Sequence, residues 1–188
     1  MADFMTHLSF KLRNRVRIDR GNAVHFGKNN RIRKCKVDIH GSGNTLIFKD
    51  GANLKGVHLE LIGNNCTLTI GKNCVIGEEC YFSCREKGTK LTIGDDCMFS
   101  RNVKVMTSDG HDICIDGARF NHAKDIKVGK HVWLADGATV LKGCDIGEGS
   151  VVGIGSVVTK DIPSFSIAAG NPAQVVRKAV SWKRELTY

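Results

Sequence analysis

From Val128 onward an aliphatic residue returns at every sixth position: Val128, Leu134, Val140, Ile146, Val152 and Val158, without a miss. No other feature constrains the fold so tightly. A period of six fits neither the 3.6-residue turn of an amphipathic helix nor the two-residue alternation of a half-buried strand. It is the signature of a β-helix, in which each hexad forms a short strand and its corner and three hexads close one triangular coil. The aliphatic side chain then points into the shaft. A glycine or alanine usually follows it, as in V-G at 128, L-A at 134, I-G at 146 and V-G at 152, and such residues permit tight corners. The same rule reappears upstream in Ile62, Ile70 and Ile76 and in Ile93, Phe99 and Val105, with register shifts where loops intrude.

The repeat also explains the cysteines. Eight in 188 residues suggest a disulfide or zinc framework, but no C-x-x-C pair occurs. Cys66, Cys74, Cys80, Cys97 and Cys144 stand four residues after an aliphatic position, the slot that Ala138, Ser150 and Ser156 fill elsewhere. They read as small buried fillers of the shaft.

The length suits one domain over 1–188, divided into irregular basic coils (1–60), the hexad β-helix (62–162) and a tail with a short helix (163–188). The helix is expected in P-A-Q-V-V-R-K-A-V-S-W-K-R-E-L, with Pro172 near its start, as a cap on the open end of the prism. Residues 1 to about 36 read as a solvated first coil or short helix, with ten Lys or Arg from Lys11 to Lys36 against Asp19 alone. Such charge suits an anionic glycan or a membrane-proximal lipid carrier. No aromatic residues interleave for base stacking, so nucleic acid is not the expected partner. No apolar core of signal-peptide length follows Met1, and no run approaches the roughly 18 apolar residues of a span; a cytoplasmic location is expected.

The hexads break once at length, between Val105 and Ile126, in an excursion of about 106–125 that holds D-G-H-D-I and G-A-R-F-N-H. These motifs, with V-W-L-A-D-G-A, G-I-G-S-V-V-T-K-D-I-P and A-A-G-N-P-A-Q-V-V-R, resemble the hexapeptide-repeat acyltransferases, and most of all the sugar and polysaccharide O-acetyltransferases. The resemblance covers about Ile62 to Arg177 and is strong from Lys124 onward. It implies a mainly β fold, a left-handed parallel β-helix uncommon among crossovers, a homotrimer with sites between subunits, and acetyl-coenzyme A as co-substrate with no metal.

Acetyl transfer from a thioester to a hydroxyl needs a base, an oxyanion donor and two binding grooves. His111 is the candidate base, an imidazole on a loop leaving a rigid scaffold, with Asp109, Asp112 or a backbone carbonyl left open as the group that fixes its tautomer. The break in the repeat then has a reason, because a flat face needs an excursion to carry a base to a subunit boundary. The resemblance further implies that Trp133 lines the acetyl site and presents its backbone N–H to the oxyanion. It places Ala135 and Asp136 against the thioester and pantetheine. Ile154, Thr159, Lys160 and Arg177 become coenzyme contacts, the last two meeting phosphates. Ser83 and Arg85 occupy the acceptor position, where small-sugar members carry asparagines, and an arginine there would suit an acidic sugar; Asp109 is grouped with them on the acceptor side. Cys114 could act as a nucleophile but has no evident base to activate it.

Three other readings compete. His111, His122 and His131 could converge on zinc as in γ-carbonic-anhydrase-like enzymes, although their spacing differs from that pattern. A β-helix scaffold without chemistry is the second, since fold does not determine function. A small-molecule acceptor is the third; serine acetyltransferases usually carry a larger helical N-terminal domain, for which this chain has no room.

Overall fold

A computed structural model describes residues 2–187. The chain forms a left-handed parallel β-solenoid of about seven turns. Its first face stacks seven parallel strands: Arg15–Ile18, Lys36–Ser42, His58–Asn64, Tyr81–Lys87, Lys104–Met106, Thr139–Val140 and Val157–Val158. The second face stacks six, from Ala23–Phe26 to Asp145–Ile146, and the third runs from Arg31–Arg33 to Ser166–Gly170.

Side chains stack by identity of position. On the second face Phe48, Ile70, Ile93, Val128 and Ile146 form one internal column, and on the third Leu54, Ile76, Phe99, Leu134 and Val152 form another. All are buried, and burying each aliphatic side chain contributes about 1.5–3 kcal/mol. All six hexad residues from Val128 to Val158 point inward. The five corner cysteines are buried and free, as the repeat implies. Ile62 is an exception: Leu61 fills the shaft and Ile62 lies on the outer surface, because the strand there is out of hexad phase.

From Arg15 to residue 60 the chain forms regular coils, which corrects the expectation of irregular structure there. Lys36 pairs with His58, 22 residues on, and His58 with Tyr81, 23 on, whereas Thr139 pairs with Val157, 18 on. The early first-face strands run seven residues instead of two, so the coil is real but its period is no longer a multiple of six.

The helix lies at the N-terminal end, where a short helix is one of two readings, and the helix expected in the tail does not form among the described residues. Helix α1 (Ala2–Arg13) covers the open first coil, with Phe10 inserted against Phe26 and Phe48. Asn14 ties it down by donating to the Phe10 and Ile32 carbonyls and accepting from Cys35 N–H. At the C-terminal end no helix occurs among the described residues. Ala173–Lys178 turns back as an antiparallel strand on Ser166–Gly170. The unpaired edge of the third face captures this segment and overrides its helical spacing. The tail then folds onto the corner between second and third faces, where Trp182 stacks on His131 at 4.2 Å and Arg184 pairs with Asp96. No helix of the described residues is long and apolar enough to cross a membrane.

Candidate active site

The excursion begins after Met106 and ends before Ile126, at the corner between the first and second faces of the fifth coil. Two short antiparallel strands, Cys114–Ile115 and Ala118–Arg119, make a hairpin. Asp116 and Gly117 both adopt positive φ at its turn, the requirement of a two-residue hairpin loop that D-G satisfies.

Side chains rather than a ladder hold the rest. Thr107 is fully buried: its N–H donates to Ser83 O, and its Oγ1 accepts from Arg85 N–H. Asn121, 5% exposed, is the hub. Its amide nitrogen donates to Asp109 at 2.7 Å and to the His111 carbonyl at 2.8 Å, while its oxygen accepts from Ile113 N–H at 2.8 Å. Arg119 clamps the base of the loop through Glu86 at 2.6 Å and reaches Asp112 at 3.0 Å. Lys142, one coil above, donates to Asp109 and to the Asn121 carbonyl. The ammonium of Lys142 holds the Asp109 carboxyl below the usual range, against a smaller opposing effect of burial.

Within this frame His111 is exposed, and its imidazole makes no hydrogen bond to a described residue. Neither flanking carboxylate orients it. Asp109 is committed to Asn121 and Lys142, and Asp112 to Arg119. The expected position of Asp109 on the acceptor side is likewise occupied by this internal network.

Beside the loop, the outer first face carries a polar ladder. Glu60 Oε1 accepts from Tyr81 at 2.6 Å, Ser83 at 2.9 Å and Arg85 Nε at 2.8 Å. Burial pushes the Glu60 carboxyl up, but these donors together outweigh it and hold the group below the ordinary glutamate range. A Cβ placed on Gly110 would lie 3.4 Å from Arg85 Nη1, so the guanidinium faces the residue preceding His111. Ser83 and Arg85 are thus gathered with the His111 loop.

Trp133 lies on a different side of the prism. It points outward from the third face, donates from Nε1 to Ser100 Oγ at 3.2 Å and has Trp182 6.0 Å away. Its backbone N–H donates to Ser150 O at 2.9 Å. A β-ladder bond thus occupies the N–H that the resemblance assigned to the oxyanion. Ala135 N–H is consumed in the same way by Val152 O.

Asp136 and Ile154 share the corner between third and first faces and line a groove of about 470 Å³ with Arg101 and Gly155. Asp136 accepts from the backbone and guanidinium of Arg101, which hold its carboxyl below the usual range. Ile154 is 76% exposed. Thr159 and Lys160 instead lie on the His111 corner two coils higher, about 10 Å along the axis, and Arg177 is exposed on the returning strand opposite Ile167. One protomer therefore divides the expected residues between two corners. The three histidines are not gathered: His131 bonds Asp96 at 2.6 Å and the Trp182 carbonyl, on another corner from His111 and His122.

Missing from the sequence reading were Asn121, Glu86, Arg119, Lys142 and Glu60. An asparagine within a long polar loop was the available signal, since an amide side chain both donates and accepts at several points.

Comparison with known proteins places this β-solenoid among acetyltransferases. No protein-family model matches the chain. It is 34% identical over 164 residues to the putative acetyltransferase YJL218W of Saccharomyces cerevisiae, covering 79% of this chain and 82% of that one. A polysialic acid O-acetyltransferase of Escherichia coli is 36% identical over 126 residues, 66% of this chain and 38% of that protein. The chain thus spans well under half the length of this relative. The crystal structure of the polySia-specific acetyltransferase NeuO superposes with a TM-score of 0.74 at 32% identity, covering 88% of this chain and 86% of that one. The chain belongs to the hexapeptide-repeat acetyltransferase family.

Proposed function

We propose that the protein is an acetyl-coenzyme A-dependent O-acetyltransferase acting on a hydroxyl of a cell-surface polysaccharide or its sugar precursor. The observation that carries this reading is the unpartnered His111 imidazole on a loop whose Asp109, Asp112 and Arg119 are all tied down. An imidazole with no partner, on a loop anchored by these bonds, is positioned to accept a hydroxyl proton. Relatives named for polysialic acid support the polymeric acceptor.

Acetyl-coenzyme A supplies the activated thioester. The chain's residues fit it: the exposed Ile154 and the groove beside Asp136 suit an apolar, amide-bearing arm, and Lys160 and Arg177 are exposed cations for phosphates. His111 takes the acceptor hydroxyl proton as the oxygen attacks the thioester carbonyl, and returns it to the departing thiolate. Trp133 walls the acetyl site with its ring. Cys114 is not needed, since direct attack requires no covalent intermediate.

The two corners combine when the His111 corner of one copy meets the Asp136–Ile154 corner of another, as in a cyclic trimer. Ile113, Ile115 and Phe120 project into solvent from the loop, apolar surface that a second copy would cover.

The test is thiol release from acetyl-coenzyme A with a panel of neutral and acidic glycans. His111→Ala should lower kcat by about 10²–10⁴-fold with coenzyme binding intact; a loss of only a few-fold would remove His111 from the mechanism. In the same panel Arg85→Ala should raise KM several-fold for acidic acceptors and leave neutral ones alone. Equal effects would show that Arg85 reads no acid.

A further inference from the structure

The N-terminal end of the prism holds the whole of the chain's excess charge. Ten Lys or Arg and one acid, Asp19, lie between Lys11 and Lys36, and the other 18 basic and 18 acidic residues cancel. Nine of the ten are exposed, and none of the nine forms an ion pair with a described residue. Asp19 is itself engaged with His40 and the Gly41 N–H.

The coil distributes these cations around a ring. Arg15 and Arg17 stand on the outer first face, Arg31 and Arg33 on the outer third face, and Arg20 and Lys28 at corners of the same coil. Above this collar sits α1. Phe10 points into the shaft, while Leu8 and Leu12, one helical turn apart, are 45% and 78% exposed, with Lys11 between them in sequence. The collar and the leucines therefore share one end of the molecule.

A soluble acidic polymer would use the arginines but has nothing to offer two exposed leucines. Nucleic acid would want exposed aromatic platforms, yet Phe10 and Phe26 pack on one another at 4.9 Å. An anionic bilayer surface uses both features, because apolar side chains enter the headgroup boundary while Lys and Arg meet the negative leaflet. We infer that α1 and the first coil form an end-on docking surface for an anionic lipid membrane, with Leu8 and Leu12 inserted and the arginine collar at headgroup level. Four coil rises of about 4.8 Å separate the collar from the coil that bears the His111 loop. Docked end-on, the molecule holds that loop about 20 Å above the lipid, within reach of a membrane-anchored glycan.

The experiment is co-sedimentation of the full chain with phosphatidylcholine vesicles, with and without phosphatidylserine, at low and high salt. The protein should partition only onto vesicles containing phosphatidylserine and should be released by salt. The pair Leu8→Glu and Leu12→Glu, and separately Arg31→Glu with Arg33→Glu, should each lower partitioning about tenfold or more, with circular dichroism unchanged. Three outcomes overturn the inference: no partitioning of the wild type, partitioning indifferent to the leucine pair, or a change of oligomeric mass in the leucine variant. The last would make this end an interface between copies. The assay is blind to acetyl transfer, so its failure leaves the proposed activity standing.

Discussion

The shaft and the 107–125 loop hold their backbones in opposite ways. In the shaft each strand is fixed by the coils above and below, and Leu46, Leu68 and Leu91 repeat one position on one face. In the loop no residue repeats another; Asn121, Arg119, Glu86 and Lys142 cross-link different groups, and none belongs to a column of equivalent positions. Redundant packing spreads the consequence of a substitution into stability, whereas a unique polar contact concentrates it in the position of one group. The lesson is that stability and activity should separate along this boundary.

The largest effect tests the shaft side. Leu68→Ala should destabilise by about 2–5 kcal/mol, read as a shift of the urea midpoint, while activity per folded molecule stays near wild type. A proportional fall in both would mean that shaft and loop are coupled. Asn121→Ala reverses the expectation: kcat should fall about 10–100-fold, since a misplacement of about 1 Å costs that much, with the unfolding midpoint of the shaft in place. An unaltered kcat would show that the hub does not position His111.

The smallest effect sharpens the boundary at the Glu60 ladder. The Glu60 carboxyl is held below its unfolded value of about 4.3. Its contribution to stability is therefore full above that pH and is lost as pH falls through the lower folded value. Glu60→Gln should lower the urea midpoint at neutral pH and narrow its difference from wild type under acid. A difference that is the same at both pH values would exclude the ionised carboxylate as the stabilising partner of Arg85.

How much was legible follows from the same contrast. The hexad from Val128 to Val158 predicted inward side chains at every position, and the break after Val105 marked the loop's extent to within a residue. The coils before residue 60 were illegible because seven-residue strands shift the period to 22 or 23. The tail was misread because its spacing is helical while an open sheet edge stood waiting to pair it.

By itself, then, the sequence determined the repeating shaft, the corner cysteines and the place of the excursion, since periodicity is a local property that a single chain displays. Only the tertiary structure decided that Asp109 and Asp112 turn away from His111, that the Trp133 N–H is spent in a ladder, and that the expected site residues divide between two corners. Those facts depend on which coil stacks against which, and residues 22 or 35 apart become neighbours only when the solenoid closes.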